Sequence, residues 1–505
     1  MSEKGRIMFI APNLKGYDGG VNRIQPPLGA MIMAEVLRRE GYSAHILDTA
    51  LEGWNHRVPM ADHAVMIGLP EAEIKERIGE VDPQIVAISA LFSNLIYSTH
   101  DIARIVKEVN PKTEVVLGGN HMSNATSDYE FANSNHGQGL QAKLTDMEDT
   151  NINFAMRGES DFAFPSLVRA RLEGKDFANI PGLVMRNGLG TYKVNPSERV
   201  QDLALLPIPA RDLVNMDGYF NVGAFHSTKT KSGTKRVLNV MASRGCPEKC
   251  TFCTTPQMWG AKVRWRPIES IVDEIKGAVR DYKVEEIQWD DDTITANIKH
   301  LYELCGELEK IRLPWCTPNG IKTNYHLANQ PEMFKRMADA GCYQVTLACE
   351  SGVQRVLDNV IGKNLNVYQI KPAIKNAIEA GMFVHTFWIL GYPGETHEEI
   401  KQTVDFAMDS GADSYSFAIL NPLPGTPIYR QVVRENLWWP GRGLEDMMFR
   451  TSLIKVPGFN SPEEFESYVN KTNIEANRLL WKRDPQRYIA RIGHPPDDRS
   501  DIKQT

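Results

Sequence analysis

The sequence predicts an α/β protein: an N-terminal doubly wound parallel sheet, then a partial (β/α)6 barrel, then a mainly helical C-terminal extension. Three observations carry this reading. Short apolar runs alternate with amphipathic stretches over the first ~190 residues. The alternation stops in a polar, Pro-containing stretch and starts again at Val237. Three cysteines, Cys246, Cys250 and Cys253, follow the first apolar run of the second series, where a barrel would place its chemistry.

The first series opens with the strand Arg6–Ala11. A helix over Leu28–Glu40 ends at Gly41, and Ser43–Asp48 is the second strand. Ile85–Ala90 is the third, followed by a helix carrying Ile102–Val109; Glu114–Gly119 and Asn153–Arg157 are the fourth and fifth. Phe162–Leu172 is the last helix. Ligands of such sheets bind beyond the carboxyl ends of the strands. Those ends carry Asp48, then Ser89, Phe92, Ser93 and Asn94, then Gly118, Gly119 and His121, then Gly158 and Glu159. Met122–Thr150 is polar with little periodicity and too long for an ordinary connection, so it reads as a lid or a disordered insertion.

Residues 191–236 read as a linker that includes LPIPAR and the polar run STKTKSGTKR. The second series predicts strands at Val237–Ala242, Glu286–Trp289, Trp315–Asn319, Gln344–Ala348, Phe383–Leu390 and Ser414–Leu420. Helices are expected at Ile268–Tyr282, Ile298–Lys310, Pro331–Ala340 and Glu398–Ser410. The domains are therefore 1–190, 237–435 and a C-terminal extension 436–505. The extension has a helix over Pro462–Lys482, reads as a cap, and ends in a charged tail expected to be poorly ordered.

Composition narrows the function. The chain has 505 residues with 57 basic and 63 acidic side chains, net charge −6. That balance gives no bulk attraction to nucleic acid or anionic membrane. No apolar run reaches the ~18 residues that span a bilayer. The start MSEKGRIMFIAPN lacks a cationic region followed by an apolar region and cleavage site, so a cytoplasmic protein is expected.

The most informative residues are Cys246, Cys250 and Cys253, spaced C-x3-C-x2-C. Soft thiolates select iron–sulfur or zinc sites. A tetrahedral zinc site needs a fourth ligand, usually from a second pair. Cys305, Cys316, Cys342 and Cys349 are widely spaced in apolar segments. The trio therefore reads as three ligands of a 4Fe-4S cubane with one iron left open; zinc or three buried thiols are the rival readings.

The cysteine loop, with an aromatic residue before its last Cys, resembles that of the radical S-adenosylmethionine (SAM) enzymes. Asp290-Asp291-Asp292-Thr293-Ile294-Thr295, Cys349-Glu350-Ser351-Gly352, Gly391-Tyr392-Pro393-Gly394-Glu395-Thr396 and Pro422-Leu423-Pro424-Gly425-Thr426-Pro427 fall at later strand ends, as in that family. The N-terminal half resembles the Rossmann-like cobalamin-binding domain often fused ahead of such barrels, with Pro26-Pro27-Leu28-Gly29 opening its first helix. RGCPEKCTFCTTPQMWG, DDDTIT and CESGVQRVL are similar to the subgroup that methylates carbon in fosfomycin biosynthesis or phosphorus in phosphinate biosynthesis.

The resemblance implies a methyltransferase that reductively cleaves SAM at a 4Fe-4S cluster to a 5′-deoxyadenosyl radical and passes a methyl group through methylcobalamin to a small-molecule intermediate. It implies a low-potential electron donor such as flavodoxin or ferredoxin, and a phosphonate or phosphinate substrate. Phe252, Asp291, Asp292, Glu350, Ser351, Gly391 and Gly394 would meet SAM. Asp291 and Asp292 could instead cap the helix at Ile298, and Glu350 could simply pair with a Lys or Arg. The strand-end residues of the first domain would line the cobalamin pocket, with His121 either in that pocket or on a surface loop. Trp259, Trp265, Arg266 and His385 are expected to shape the substrate pocket.

One departure is informative. Many cobalamin proteins carry D-x-H-x-x-G, whose His ligates cobalt; here the stretch reads Asp48-Thr49-Ala50-Leu51-Glu52-Gly53. Ala50 cannot ligate a metal. Other outcomes for such a chain are a cyclase, oxidase or rearrangement enzyme without methyl transfer, or a cobalamin sensor or carrier without catalysis. A tRNA methylthiotransferase is disfavoured, because no cysteine precedes Cys246 and no basic RNA module follows the barrel.

Overall fold

The structure is a computed structural model, and it describes residues 4–18, 22–60, 64–134, 137, 144–188, 190–223, 230–231, 233–322, 330–492 and 495–496. The first sheet has seven strands: Arg6–Ala11 (β1), Ser43–Asp48 (β2), Ile85–Ser89 (β3), Glu114–Gly118 (β4), Phe154–Met156 (β5), Leu183–Arg186 (β6) and Tyr192–Val194 (β7). Their order is β7-β6-β5-β4-β3-β1-β2. The pairings among β1 to β5 are parallel, and β6 and β7 extend the edge antiparallel. Successive side chains on a strand point to opposite faces. Accordingly Ile7 and Phe9 enter one apolar cluster while Met8 and Ile10 enter another. A strand covered on both faces reads as a continuous apolar run, as RIMFIA does. The strand order reverses between β1 and β3, which makes the ends of those strands the natural ligand crevice.

The second sheet contains Val237–Val240 (β8), Glu286–Trp289 (β9), Trp315–Ile321 (β10), Cys342–Glu350 (β11), Phe383–Leu390 (β12) and Ser414–Ile419 (β13). They lie in chain order and every pairing is parallel. Helices Ile268–Tyr282, Ile298–Ile311, Pro331–Asp339, Ile370–Glu379 and His397–Met408 connect them. This is the order a partial barrel requires, and the described pairings do not close it: β8 and β13 are the two edges.

The structure corrects several expectations. The C-terminal helix Pro462–Arg483 lies along the open edge of β13. There Asn473 accepts the Phe417 N–H (3.1 Å) and donates to the Phe417 carbonyl (3.0 Å). Satisfying an exposed strand edge in this way blocks further pairing. The stretch read as a linker contains β7 and the helix Met216–Val222, whose Tyr219 and Phe220 are buried in the second domain's core. The run STKTKSGTKR falls partly outside the described residues, as do residues 135, 136, 138–143 and the terminal tail.

Much of the stretch read as a lid or insertion is a helix, Asn120–Ala132. Its buried residues include His121, Ser123, Asn124 and Thr126. A helix that buries polar groups shows no apolar stripe, so its periodicity was invisible. A three-stranded antiparallel sheet, Leu14–Tyr17, Arg57–Pro59 and Ala64–Ile67, also lacked a sequence signal.

Candidate active site at the domain junction

The cysteine loop is held from three sides. Gly245 has φ +112°, and a Cβ there would lie 2.6 Å from the Lys262 carbonyl oxygen, so only glycine leads the chain into Cys246. The Cys246 N–H donates to the Gly260 carbonyl (3.2 Å). Thr251 donates through its N–H to the Ile361 carbonyl and through its hydroxyl to that of Val360, both at 2.8 Å. Those acceptors belong to the π-helical turn Val356–Ile361, a deformation frequent at functional sites.

All three thiols are partly buried. Burial pushes Cys246 up to about 11 and Cys250 up to about 12, and raises Cys253 as well. Cys246 and Cys250 both feel the charge of Cys253, so the three thiols lie close together. Such thiols ionise when positive charge arrives, which fits an iron–sulfur group. Among the described residues no group of three or more His, Cys, Asp or Glu side chains could hold a metal ion as it stands.

The residues expected at SAM divide. Phe252 is partly buried with its ring centroid 5.9 Å from that of Tyr392. Asp292 accepts the Thr255 hydroxyl (2.9 Å), and its charge reaches Cys246 and Cys253. Glu350 has φ +66° and pairs with buried Lys363 at 3.0 Å; both charges are felt at Cys250. The pairing alternative for Glu350 is therefore realised, but inside the site.

The other four have different work. Asp291 is buried, accepts the Ala242 N–H (2.9 Å) and the Ser243 hydroxyl, and is pushed up by burial to about 7. It ends β8 by capturing the next ladder donor. Neither Asp291 nor Asp292 caps the following helix; Asn297 does. The hydroxyl of fully buried Ser351 is engaged by Thr403 (3.1 Å) and the Val353 N–H (3.2 Å). Gly391 has φ +88°, and a Cβ there would lie 2.7 Å from Phe465, so its small size serves packing. Gly394 is exposed, with its carbonyl accepting from Arg355 (2.9 Å).

Near the first sheet's crevice, Ser89 and Gly118 are paired strand ends, and nothing lies within 4 Å of a Cβ added at Gly118. Gly119 has φ +101°, with the Ala90 carbonyl oxygen 2.5 Å from where a Cβ would sit. Leu91, Phe92 and Tyr97 are exposed apolar side chains at the end of β3. His121 is buried rather than on a surface loop. Its Nδ1 meets the Ser93 hydroxyl at 2.8 Å and its Nε2 meets Asp146 at 3.1 Å. Asp146 also meets His100 at 3.4 Å. Burial opposes ionisation of Asp146, yet its bonds to His100 and His121 hold the carboxyl well below the usual range.

Four residues expected at cobalamin make hydrogen bonds within the protein. Asp48 accepts the Tyr219 hydroxyl at 2.5 Å and caps a short helix through the Leu51 N–H (2.9 Å). Asn94 donates to the Met447 carbonyl (3.1 Å). Gly158 donates to the Ser123 hydroxyl (2.9 Å). Glu159 accepts from Arg264 (2.9 Å) and Arg244 (3.2 Å). Ala50 is buried in the second domain's core.

A pocket between the two domains was expected; these contacts define the junction residue by residue, through pairs that the sequence did not announce. Arg244, two residues before Cys246, forks onto Asp161 at 2.7 and 2.9 Å. Asn120, at the start of the His121 helix, donates to the Thr254 hydroxyl at 3.1 Å, next to Cys253. Asp128 on the same helix accepts from Gly425 (2.5 Å) and Arg430 (2.8 Å). The first sheet's crevice and the cysteine loop are thus neighbours. Of the expected pocket residues, Trp259 carries the Arg244 guanidinium 4.7 Å above its ring. Trp265 packs on His300, and Arg266 is bound to Glu274. His385 faces the inside of the second sheet.

Comparison with known proteins agrees with this architecture. The B12 binding domain family matches residues 17–138 and the Radical SAM superfamily matches residues 240–407. Cytidylyl-2-hydroxyethylphosphonate methyltransferase of Streptomyces wedmorensis is 31% identical over 94% of this chain and 90% of its own length. Anaerobic magnesium-protoporphyrin IX monomethyl ester cyclase of Cereibacter sphaeroides is 26% identical over 85% of this chain and 63% of its own. The radical S-adenosylmethionine methyltransferase TsrM of Kitasatospora setae, solved with cobalamin and a [4Fe-4S] cluster, superposes with a TM-score of 0.67 at 17% identity over 99% of this chain and 92% of its own. No described helix is long and apolar enough to cross a membrane. With a B12 domain leaning on a radical SAM domain, and a relative of this identity spanning nearly the whole chain, the chain belongs to the cobalamin-dependent radical SAM methyltransferases.

Proposed function

We propose that the protein methylates an unactivated carbon, or a phosphinate phosphorus, of a small phosphonate or phosphinate intermediate in the cytoplasm. The observation that carries the reading is the Asn120–Thr254 hydrogen bond, which sets the start of the B12-domain helix against the residue after Cys253. The substrate class is supported by the similarity to cytidylyl-2-hydroxyethylphosphonate methyltransferase. When bound, the cluster and SAM supply a hydrogen-abstracting radical and cobalamin supplies the methyl group.

Cys246, Cys250 and Cys253 would hold the cluster. The Glu350–Lys363 pair keeps the wall beside Cys250 polar yet nearly neutral. Phe252 and Tyr392 exclude water on the same side. Leu91, Phe92 and Tyr97 offer the corrin an apolar seat, with Gly118 leaving open space beside them. Ala50 offers cobalt no imidazole. His121 is locked by Ser93 and Asp146 as a fixed polar floor. Electrons would come from a flavodoxin- or ferredoxin-type donor.

The test is incubation of reconstituted protein with methyl-labelled SAM, reductant and a phosphonate panel including cytidylyl-2-hydroxyethylphosphonate. The reading expects labelled product together with S-adenosylhomocysteine and 5′-deoxyadenosine. Deoxyadenosine with no S-adenosylhomocysteine on any substrate would contradict it and favour a cyclase-like reaction.

A further inference from the structure

A second buried ion pair touches the cysteine loop and is separate from the Glu350–Lys363 pair. The loop places Pro247, Glu248 and Lys249 between Cys246 and Cys250. The Glu248 N–H bonds the Cys246 sulfur, and the Glu248 carboxylate pairs with the ammonium of Lys322. The two side chains are 14% and 5% exposed.

Lys322 is the first residue after β10, at the strand end where a barrel places its chemistry. An irregularity in β10 brings it there. Thr317 pairs with Val345 and Ile321 with Leu347, so four residues of β10 advance against two of β11. A bulge of this kind bends the strand and re-aims the side chains beside it. Gly320 permits it: φ is +94°, and an added Cβ would lie 3.2 Å from the Ala348 Cβ. Lys363 follows the π-helical turn that holds Thr251, and donates to the Ala348 carbonyl (2.5 Å) and to Glu350 (3.0 Å). The charges of Lys322 and Lys363 reach each other, and both reach Cys250. Two buried lysines, each tied to its own carboxylate, thus border the middle cysteine of the trio.

A buried ion pair adds little stability over apolar residues of equal size, so the place of this one is what informs. Reduction of a cluster adds one negative charge to a buried site, where nearby charges are weakly screened. The reduction potential of an iron–sulfur group follows the net charge around it and the hydrogen bonds to its sulfurs. We propose that Lys322 is a positioning residue for the cluster. Through Glu248 it fixes the segment between Cys246 and Cys250, and its positive charge, balanced by Glu248, sets how readily the cluster is reduced. The proposal rests on the cluster held by the cysteine trio and on no particular methyl acceptor.

The experiment is a redox titration of the reconstituted full-length protein without substrate, followed by the electron paramagnetic resonance of the reduced cluster. Iron content and SAM affinity are measured on the same samples. Lys322→Gln leaves the Glu248 carboxylate unbalanced and should lower the midpoint potential. Glu248→Gln leaves the ammonium unbalanced and should raise it. The double variant K322Q/E248Q should return towards the wild type, and Lys322→Arg should stay near it, because the guanidinium keeps the charge. A purely structural pair predicts something else: both single variants lose iron alike, and the cluster that remains keeps the wild-type potential. That result would overturn the proposal. So would a fall in SAM affinity in K322Q with the potential unchanged, which would make Lys322 a ligand of SAM. If K322Q takes up no iron, E248Q and K322R decide: a raised potential in the first and an unchanged one in the second support the proposal, and an unchanged potential in E248Q sinks it. Unmoved potentials in a protein that transfers methyl groups would leave the methyl-transfer reading intact. Opposite shifts in a protein that methylates no substrate would support the proposal and sink that reading.

Discussion

Arg244 holds both carboxylate oxygens of Asp161 at 2.7 and 2.9 Å, with the two side chains only 5% and 6% exposed. Arg244 is two residues before Cys246, and Asp161 follows β5 of the B12 domain. The position of the cysteine loop is therefore set partly by the other domain.

Removing one partner of a buried ion pair strands the other charge. Asp161→Asn should destabilise the folded protein by about 3 kcal/mol. Denaturant unfolding measures the loss, and hydrogen exchange should show the 244–253 segment opening first. An exchange pattern unchanged in that segment would mean the loop is held by its own domain alone.

Each cysteine of the trio is expected to matter equally for iron and little for cobalamin. Cys250→Ala should lower bound iron and abolish 5′-deoxyadenosine formation. Cobalamin binding should persist, because the first sheet has its own apolar clusters. Iron analysis and the visible spectrum of bound cobalamin separate the two effects.

Gly119→Ala places a methyl group 2.5 Å from the Ala90 carbonyl oxygen at φ +101°. Strain of this kind costs of order 1–3 kcal/mol. The turn carries His121 and the helix that touches Thr254. Cobalamin affinity should therefore fall in equilibrium binding while the cysteine loop still takes up iron.

Glu395 gives a pH signature. Burial pushes its carboxyl up to about 7, although the Gly391 and Tyr392 N–H groups work the other way. A raised carboxyl binds its proton more tightly in the folded state. Its stabilising contribution is full below the ordinary value near 4.5 and is lost as pH rises through 7. The stability of the wild type relative to Glu395→Gln should thus rise by about 3 kcal/mol between pH 8 and pH 4.5. Denaturant titrations at a series of pH values check it; a flat difference would mean that the carboxyl titrates normally.

Much of the fold was legible because its signals are local. Glu286–Trp289, Phe383–Leu390 and Ile268–Tyr282 have their observed bounds in the sequence, since apolar periodicity and turn residues mark them directly. The helix Asn120–Ala132 was illegible because its buried face is polar. In the site, Cys246, Cys250 and Cys253 were visible by spacing, and Ala50 by the residue it replaces. Asp48, Glu159, Ser351 and Gly391 were read as ligand contacts because they end strands, and nothing in the sequence signalled the protein contacts they make. Their partners Tyr219, Arg264, Thr403 and Phe465 lie far along the chain, and no local pattern announces a long-range partner.

The central claim is that the cysteine loop and the B12-domain crevice form one active site. Crystals of the protein loaded with iron–sulfur cluster and cobalamin, measured at the iron and cobalt absorption edges, test it most directly. The account predicts iron bonded to the sulfurs of Cys246, Cys250 and Cys253, and cobalt beside Leu91, Phe92 and Tyr97, facing that iron across the junction held by Asn120–Thr254 and Arg244–Asp161. Iron absent from any of the three sulfurs, or cobalt on a surface turned away from them, would contradict it.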